Sequence, residues 1–340
     1  MSAIRANFTK VTNPSTLNQT VAVAIVNWNS GRLLERCLDC LDAQSRPADA
    51  VIVVDNGSTD MSLSAIDEKH PAVTVLRLGM NAGFAAANNR AAEAAGNCDW
   101  LALLNPDAFP EPDWLEKLMS AAQNHPEYAF FGSRMLADSN PDWLDGHGDA
   151  YHTSGLVWRE GHGKPASGRA LEPAEIFSPC AAAALYRRSA YLEAGGFDED
   201  YFCYVEDVDL GFRLRLLGHR CRYVPDAVVR HAGSAITGKN SDFSVYHGHR
   251  NLVWTYVKDM PSPLFWLYLP QHILLNLATL VLYSLRGQGR AIFRSKRDAL
   301  LGIPKMWRKR REIQGKCRVG PLYLRILMRK GLSFLQSESN

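Results

Sequence analysis

Runs of β-branched and aliphatic residues alternate with helical periodicity over most of the chain up to about residue 240. Val21–Val26 is an unbroken apolar run flanked by polar residues, the mark of a parallel strand buried on both faces. Residues 31–43 repeat apolar positions at helical spacing and predict its crossover helix. Val51–Asp55 is the next strand and ends in Asn56-Gly57-Ser58, where Ser58 or Thr59 is placed to cap a helix running toward Lys69. Val73–Leu78, a helix from Phe84 to Ala95, and Trp100–Leu104 continue the alternation, which predicts an α/β fold with a mostly parallel sheet and helices on both faces. A helix over Pro112–His125 and a strand over Tyr128–Met135 follow, then a Gly-, His- and Trp-rich stretch to Gly168 with no assignable period. Ala181–Tyr186 resumes as a strand and Glu206–Leu217 as a helix closed by Gly218. Cys221–Val224 and Val228–His231 are two short extended pieces.

Beyond about Ser241 the strand signals stop and helical periodicity takes over. The chain thus divides into a loose polar stretch (1–18), an α/β domain (19–240) and a helical, amphipathic and basic region (241–340). Leu264–Leu285 is apolar and long enough to cross a bilayer, but it contains Pro270, Gln271, His272 and Asn276. Arg286, Arg290, Arg294, Lys296 and Arg297 follow at once. A spanning helix would put these cations across the membrane from a cytoplasmic catalytic domain, against the positive-inside tendency. The pattern therefore favours a helix lying in the interface with its basic flank on anionic head groups, over a span or a buried helix between domains. Charge agrees: residues 286–340 carry 15 Lys/Arg against 3 Asp/Glu, so the net +3 resolves into a tail at +12 and a body at −9.

Seven cysteines without paired spacing, and no apolar core in the first twenty residues, fit a reducing cytoplasm. Cys37 and Cys40 lie on one face of a predicted helix with no second Cys/His pair after them, which reads as packing. The basic residues adjoin an apolar helix and lack interleaved stacking aromatics, which argues against a nucleic-acid partner.

In a parallel, helix-covered sheet the chemistry gathers beyond the carboxyl ends of the strands. Asn27, Asn29, Asp55, Asn105 and Asp107 all fall there. Asp55, in VVDNGSTD, can accept from a base imide or a ribose hydroxyl; alone, a DNGS is equally a turn. Asn81-Ala82-Gly83-Phe84 opens a helix whose terminus favours an anion. In LLNPDA, Asn105 and Asp107 alternate along an extended segment and can face one hard divalent cation, Mg²⁺ or Mn²⁺; without its neighbours this would be an Asx-Pro turn. Glu206, Asp207 and Asp209 occupy a helix first turn, where carboxylates are stabilised by the dipole. There Asp207 is the candidate general base, with Glu206 and Asp209 orienting it or binding acceptor, and Arg213 pairing with the acids. His231 ends a short strand and is a candidate second metal ligand.

These motifs, in this order, resemble glycosyltransferase family 2, the inverting enzymes of GT-A fold, and within it the rhamnosyltransferase-like group of cell-surface polysaccharide synthesis. VAIVNWN, VVDNGSTD, NAGFAAANN, LLNPDA, the stretch through YVEDVDLGFR, VRHAG and HRN at 249–251 carry the likeness, from Val21 to Asn251. The resemblance implies a donor pocket with Asp55 on the base, Asn81–Phe84 on the nucleotide, Asp107 and His231 on the metal, and Asp207 as base. By analogy it puts Arg187, Arg188 and Arg250 along the donor or acceptor path. It also implies a dTDP- or UDP-sugar donor, with dTDP-rhamnose foremost although the motifs themselves do not fix base or sugar; the apolar helix and basic tail point to a lipid-linked or oligosaccharide acceptor at the inner face of the cell membrane, and a homo-oligomer stays open. One departure is Asn105-Pro106-Asp107 in place of Asp-x-Asp, which implies a weaker metal site. A galactofuranosyl or other UDP-sugar transferase is the alternative of the same fold, and a catalytically silent nucleotide-binding scaffold at the membrane is the alternative of another class.

Overall fold

The computed structural model describes residues 19–64, 66–233 and 241–331; the loose N-terminal stretch expected over 1–18 lies outside them. The elements in chain order are β1 Val21–Asn27, α1 Leu33–Asp42, β2 Ala50–Asp55, α2 Ile66–Lys69, β3 Thr74–Arg77, α3 Phe84–Ala94, β4 Trp100–Leu104, β5 Ala108–Pro110, α4 Trp114–Asn124, β6 Tyr128–Ala137 and β7 Asn140–Gly146. There follow β8 Asp149–Tyr151, β9 Val157–Arg159, β10 Ala174–Glu175, β11 Ala183–Arg187, α5 Arg188–Glu193, α6 Glu206–Leu216, β12 Arg220–His231, α7 Asp242–Asp259, α8 Ser262–Leu285, α9 Gly289–Gly315 and α10 Pro321–Leu327. The main sheet runs β10-β12-β6-β11-β4-β1-β2-β3, with β5 on β12 and β7 on β6. β1 pairs in parallel with β2 and β4, while β11 enters antiparallel between β4 and β6.

The unbroken apolar runs are explained by two cores, one on each face. Along β1, Val21, Val23 and Ile25 pack with α1 and α4, whereas Ala22, Ala24 and Val26 pack with α3, α5 and α6. Cys37 lies in the first of these cores, as its helical spacing suggested.

Three expectations change. The helix expected toward Lys69 is only Ile66–Lys69, and Ser58 does not cap it; its hydroxyl accepts from Asn27 Nδ2 (3.0 Å) and the Asn29 amide (3.1 Å). The stretch read as irregular folds into β7 and the β8–β9 hairpin. The two extended pieces after Gly218 are one strand, β12, whose register against β6 slips between Val224 and Val228, so the bulge interrupted the alternation.

Helices α7–α10 share a core with the α/β layer. Val208, Phe212 and Leu216 of α6 pack with Val253, Trp254, Tyr256 and Leu264, while Leu210 and Leu214 face the sheet. The change near Ser241 is thus one of element type, with hydrophobic packing continuous across it.

Candidate active site

Register puts the chemistry on one edge. Asn27 lies opposite Asp55, and Ile25 opposite Leu104, so β1, β2 and β4 end together. Because β11 runs antiparallel, with Ala183 opposite Leu104, the residues just before it return to the same edge, and Asn105 N–H donates to Ala182 O (2.9 Å). Asp55 and Asn105 leave strands separated by β1, roughly 10 Å apart at about 4.8 Å per strand.

Asp107 and His231 meet at this edge: His231 Nε2 stands 3.3 Å from Asp107 Oδ1, and both residues are buried. Antiparallel pairing brings them there, since β5 sets Ala108 against His231. The other ring nitrogen, Nδ1, donates to Asp145 Oδ2 (2.9 Å), which fixes the ring with Nε2 toward Asp107 and without a hydrogen-bond partner. With Asp145 fixing the ring from behind, Nε2 and the adjacent Asp107 carboxylate could together take up a divalent cation in place of the proton they now share. Burial pulls the His231 pKa down, but the two aspartates outweigh it and hold it at about 9. Burial pushes Asp145 up, and His231 and Arg159 more than reverse this, leaving it well below the usual carboxylate range.

Asp207 begins α6, half-buried. Its Oδ2 accepts from Ala181 N–H (3.1 Å) and its Oδ1 from Val208 N–H (2.8 Å). Asp149 Oδ, Cys180 Sγ and Asp207 Oδ lie within 4.8 Å of one another. A thiol is a soft ligand and suits Mg²⁺ or Mn²⁺ poorly, so Asp107 with His231 is the better fit to a hard ion. Burial raises the Asp207 pKa, opposed by the Ala181 amide, Arg159 and the Val208 amide. Burial and the Asp207 charge push Asp149 up to about 8. Burial and Asp207 likewise drive Glu206 well above its ordinary value.

The segment feeding Asp207 is strained, with Phe202, Tyr204 and the β-branched Val205 all at positive φ (64°, 69° and 68°). Asn251 holds it: Nδ2 donates to the carbonyls of Tyr201 (3.0 Å), Cys203 (2.9 Å) and Tyr204 (2.7 Å).

Several expected roles are corrected. Arg187 lies opposite Trp100, at the amino end of β4, and donates to the carbonyls of Pro126 and Tyr128; the Arg188 amide donates to Asp99 O and its side chain to Ala92 O. Both are at the far edge of the sheet, because strand reversal sends the end of β11 away from the site. Arg250 is buried, donates to the carbonyls of Asp200 and Tyr201 and stacks on Trp254, so it braces the loop in place of lining a donor path. Asp209 is fully buried, bonded to Arg213 (2.7 Å) and paired with Lys258, so it cannot meet an acceptor; the expected pairing of Arg213 with the acids is present. Glu206 is also buried, with Oε2 sealed from solvent, and faces Asp207 instead of an acceptor.

On the nucleotide side, Asn27 is fully buried. Its Nδ2 donates to Asp55 Oδ1 (3.3 Å), Ser58 Oγ (3.0 Å) and Ser62 Oγ (2.9 Å), so it fixes Asp55 from behind and cannot itself contact a donor. Asn29, at φ 50°, accepts from Thr59 N–H (2.8 Å) and shapes the same loop. Asn81 Oδ1 accepts from Asn56 Nδ2 (2.9 Å) and Gly83 N–H (3.0 Å). The amide of Ala85 in the first turn of α3 already donates to Phe202 O (3.3 Å), so that amide is not offered to a phosphate as the motif suggested. Phe84 packs near Phe197, its ring centroid 6.1 Å away.

Asp145, Asp149, Arg159 and Cys180 were not singled out in the sequence, and Asn251 entered only as part of the HRN motif, without a role. Asp145 and Asp149 bracket Gly-His-Gly in the stretch that gave no period, and the two glycines were the only signal there.

A mixed sheet with helices on both faces and acid, amide and imidazole groups at one carboxyl edge defines a GT-A glycosyltransferase. Residues 22–195 match the family described as glycosyl transferase family 2, and the chain belongs to that family. It is 31% identical over 280 residues to the N-acetylglucosaminyl-diphospho-decaprenol L-rhamnosyltransferase of Mycobacterium tuberculosis, covering 74% of this chain and 89% of that one. Over 249 residues it is 24% identical to the amylovoran biosynthesis glycosyltransferase AmsE of Erwinia amylovora, covering 71% and 82%. Among solved structures it is similar in fold to GalNAc-T7 with UDP, GalNAc and Mn²⁺ (TM-score 0.59, 17% identity, 72% of this chain and 48% of that one). It is also similar to the mannosyltransferase PcManGT of Pyrobaculum calidifontis with GDP-Man and Mn²⁺ (TM-score 0.52, 20% identity, 90% and 87%).

Proposed function

We propose that this glycosyltransferase transfers L-rhamnose from dTDP-rhamnose, with inversion, to a lipid-linked saccharide during cell-surface polysaccharide synthesis at the inner face of the cell membrane. The observation that carries the chemistry is Asp207: among the three acids of its helix turn it alone is not buried, and two backbone amides fix its carboxylate at the functional edge. A carboxylate so held takes the proton of an acceptor hydroxyl as that oxygen attacks the anomeric carbon, and the nucleoside diphosphate leaves from the opposite face. Asp55, fixed by Asn27 and the Ser58 amide, is placed to accept from the nucleobase or ribose at the far end of the donor. Asp107 and His231 would hold Mg²⁺ or Mn²⁺, which when bound neutralises charge developing on the diphosphate. The choice of rhamnose and of a lipid-linked acceptor is supported by the likeness to the mycobacterial enzyme.

Asp207→Asn tests the reading. Transfer from dTDP-L-rhamnose to a GlcNAc-diphospho-prenol should fall by roughly 10²- to 10⁴-fold while dTDP binding persists. Wild-type-like turnover of the variant would remove Asp207 from the role. Activity of the wild type with a UDP-sugar alone would replace the donor.

A further inference from the structure

One side chain connects the His231 half of the site to the Asp207 half. Arg159 ends β9 directly opposite Asp149 in the β8–β9 hairpin. Its Nη1 donates to Asp145 Oδ2 (2.7 Å), the same oxygen that holds His231, and its Nη2 donates to Cys180 Sγ (2.6 Å). Its Nε lies 3.8 Å from Asp149 Oδ1, and Asp149 and Cys180 are the immediate neighbours of the Asp207 carboxylate. The approach of the stem is built into the backbone: a Cβ on Gly146 would stand 2.2 Å from Arg159 Cγ and 2.4 Å from Cδ, so the chain leaves that space to glycine.

Among the described residues, the titratable groups facing Asp207 are Asp149 from β8, Arg159 from β9, Cys180 before β11, Tyr186 from β11, Cys203 before α6 and Glu206 from α6, and Arg159 is the cation among them. Arg213 of α6 is bound to Asp209, and Lys258 of α7 to Asp198 and Asp209. A planar guanidinium can hold two acceptors at a fixed separation, which an ammonium cannot.

We infer that Arg159 is a positioning residue for sugar transfer: its guanidinium fixes the spacing between the Asp145–His231 pair and the Asp207 base, and supplies the positive charge that their carboxylates share. This rests on the reading of Asp207 as the base. Loss of the guanidinium frees Asp145 to turn from His231 and leaves Asp149 and Asp207 facing each other without a counter-charge. The base then needs a higher pH to be ionised.

The experiment uses the full chain and measures transfer from dTDP-L-rhamnose to a GlcNAc-diphospho-prenol across pH, with circular dichroism and dTDP binding in parallel. Arg159→Met should lose roughly 10- to 100-fold in kcat, the range for residues that orient a site's ligands. Donor KM should change little, and the acid limb of the pH profile should move to higher pH. Arg159→Lys should leave that limb near its wild-type position and recover only part of kcat. Unchanged kcat and limb in Arg159→Met overturn the proposal, as does a fall in kcat matched by lost dTDP binding with an unmoved limb. Should Arg159→Met not fold, Arg159→Lys decides: reduced kcat with retained dTDP binding supports the role, and unchanged kcat overturns it. A wild type inactive with every sugar nucleotide tried would instead sink the function on which the inference rests.

Discussion

His231 shows how much of the site depends on one hydrogen bond. An imidazole ligates a metal through a bare nitrogen, and the direction of that nitrogen is set by what the other one touches. Here Asp145 sets it, at 2.9 Å. Asp145→Asn keeps the shape but removes the charge that makes the ring a better donor, and Mn²⁺ binding should weaken by roughly 10- to 100-fold in a calorimetric titration. Unchanged affinity would show that Asp107 and His231 do not hold the ion. His231 and Asp107 could be picked out in the sequence because each closes a strand in a recognisable pattern. Asp145 could not, because its partner is 86 residues away and its own segment shows no period.

The acid helix and the turn before α3 are locked together, and this decides how Asp207 is presented. Gly83 sits at φ 90°, and a Cβ there would come within 2.6 Å of Phe202 Cδ2 and 2.7 Å of Phe202 O. Gly83→Ala combines an unfavourable backbone angle with a clash against the strained loop, so it should cost about 1–3 kcal/mol and lower the melting temperature. Transfer should also drop, although no acid is changed. A variant with wild-type melting temperature and activity would show that the two segments do not need to touch. Strands β1, β2 and β4 and helices α3, α4 and α6 were legible within a few residues because period and length agreed. The β8–β9 hairpin and the continuity of β12 were not, since three-residue strands and a bulge leave too little pattern to read. The identity of the acidic turn was legible too, but which of its three carboxylates is accessible was not: Asp209 is closed off by Lys258 of α7 as well as by Arg213 of its own helix, and the first of these partners is remote in the chain.

The C-terminal helices hold the catalytic layer from behind and leave an apolar face uncovered. Lys258 of α7, fully buried, bridges Asp198 (2.6 Å) and Asp209, and from the tail Lys305 and Lys309 reach Asp200 at the surface of the same loop. Lys296 is buried as well, its Nζ 2.6 Å from Asn276 Oδ1 and its pKa drawn down to about 7, so it does not rest on head groups as the sequence suggested. The side of α8 turned away from α7 exposes Trp266, Leu267, Ile273, Leu274, Leu277, Val281 and Leu285. The same helix is long and apolar enough to cross a membrane. A face of this kind with Arg286 and Arg290 at its end suits an anionic bilayer surface. Leu274→Glu with Leu277→Glu should cut flotation with phosphatidylglycerol vesicles by at least tenfold, since each buried leucine contributes about 1.5–3 kcal/mol. Unchanged flotation would mean that α8 does not meet lipid.

Period, turn chemistry and the order of acid, amide and imidazole motifs were written into the chain itself: they specify a helix-covered parallel sheet and place Asp55, Asp107, Asp207 and His231 at strand or helix ends, because such signals are local. Which side chains meet was settled by long-range packing. The reversal of β11 carried Arg187 and Arg188 to the far edge, Lys258 of α7 paired with the buried Asp209, Arg250 of α7 was drawn to the loop before α6, and the β8–β9 hairpin delivered Arg159 and Asp149 to the neighbourhood of Asp207. Contacts of that kind depend on strand order and register, which arise from burying two faces of one sheet at once and leave no periodic trace in any single segment.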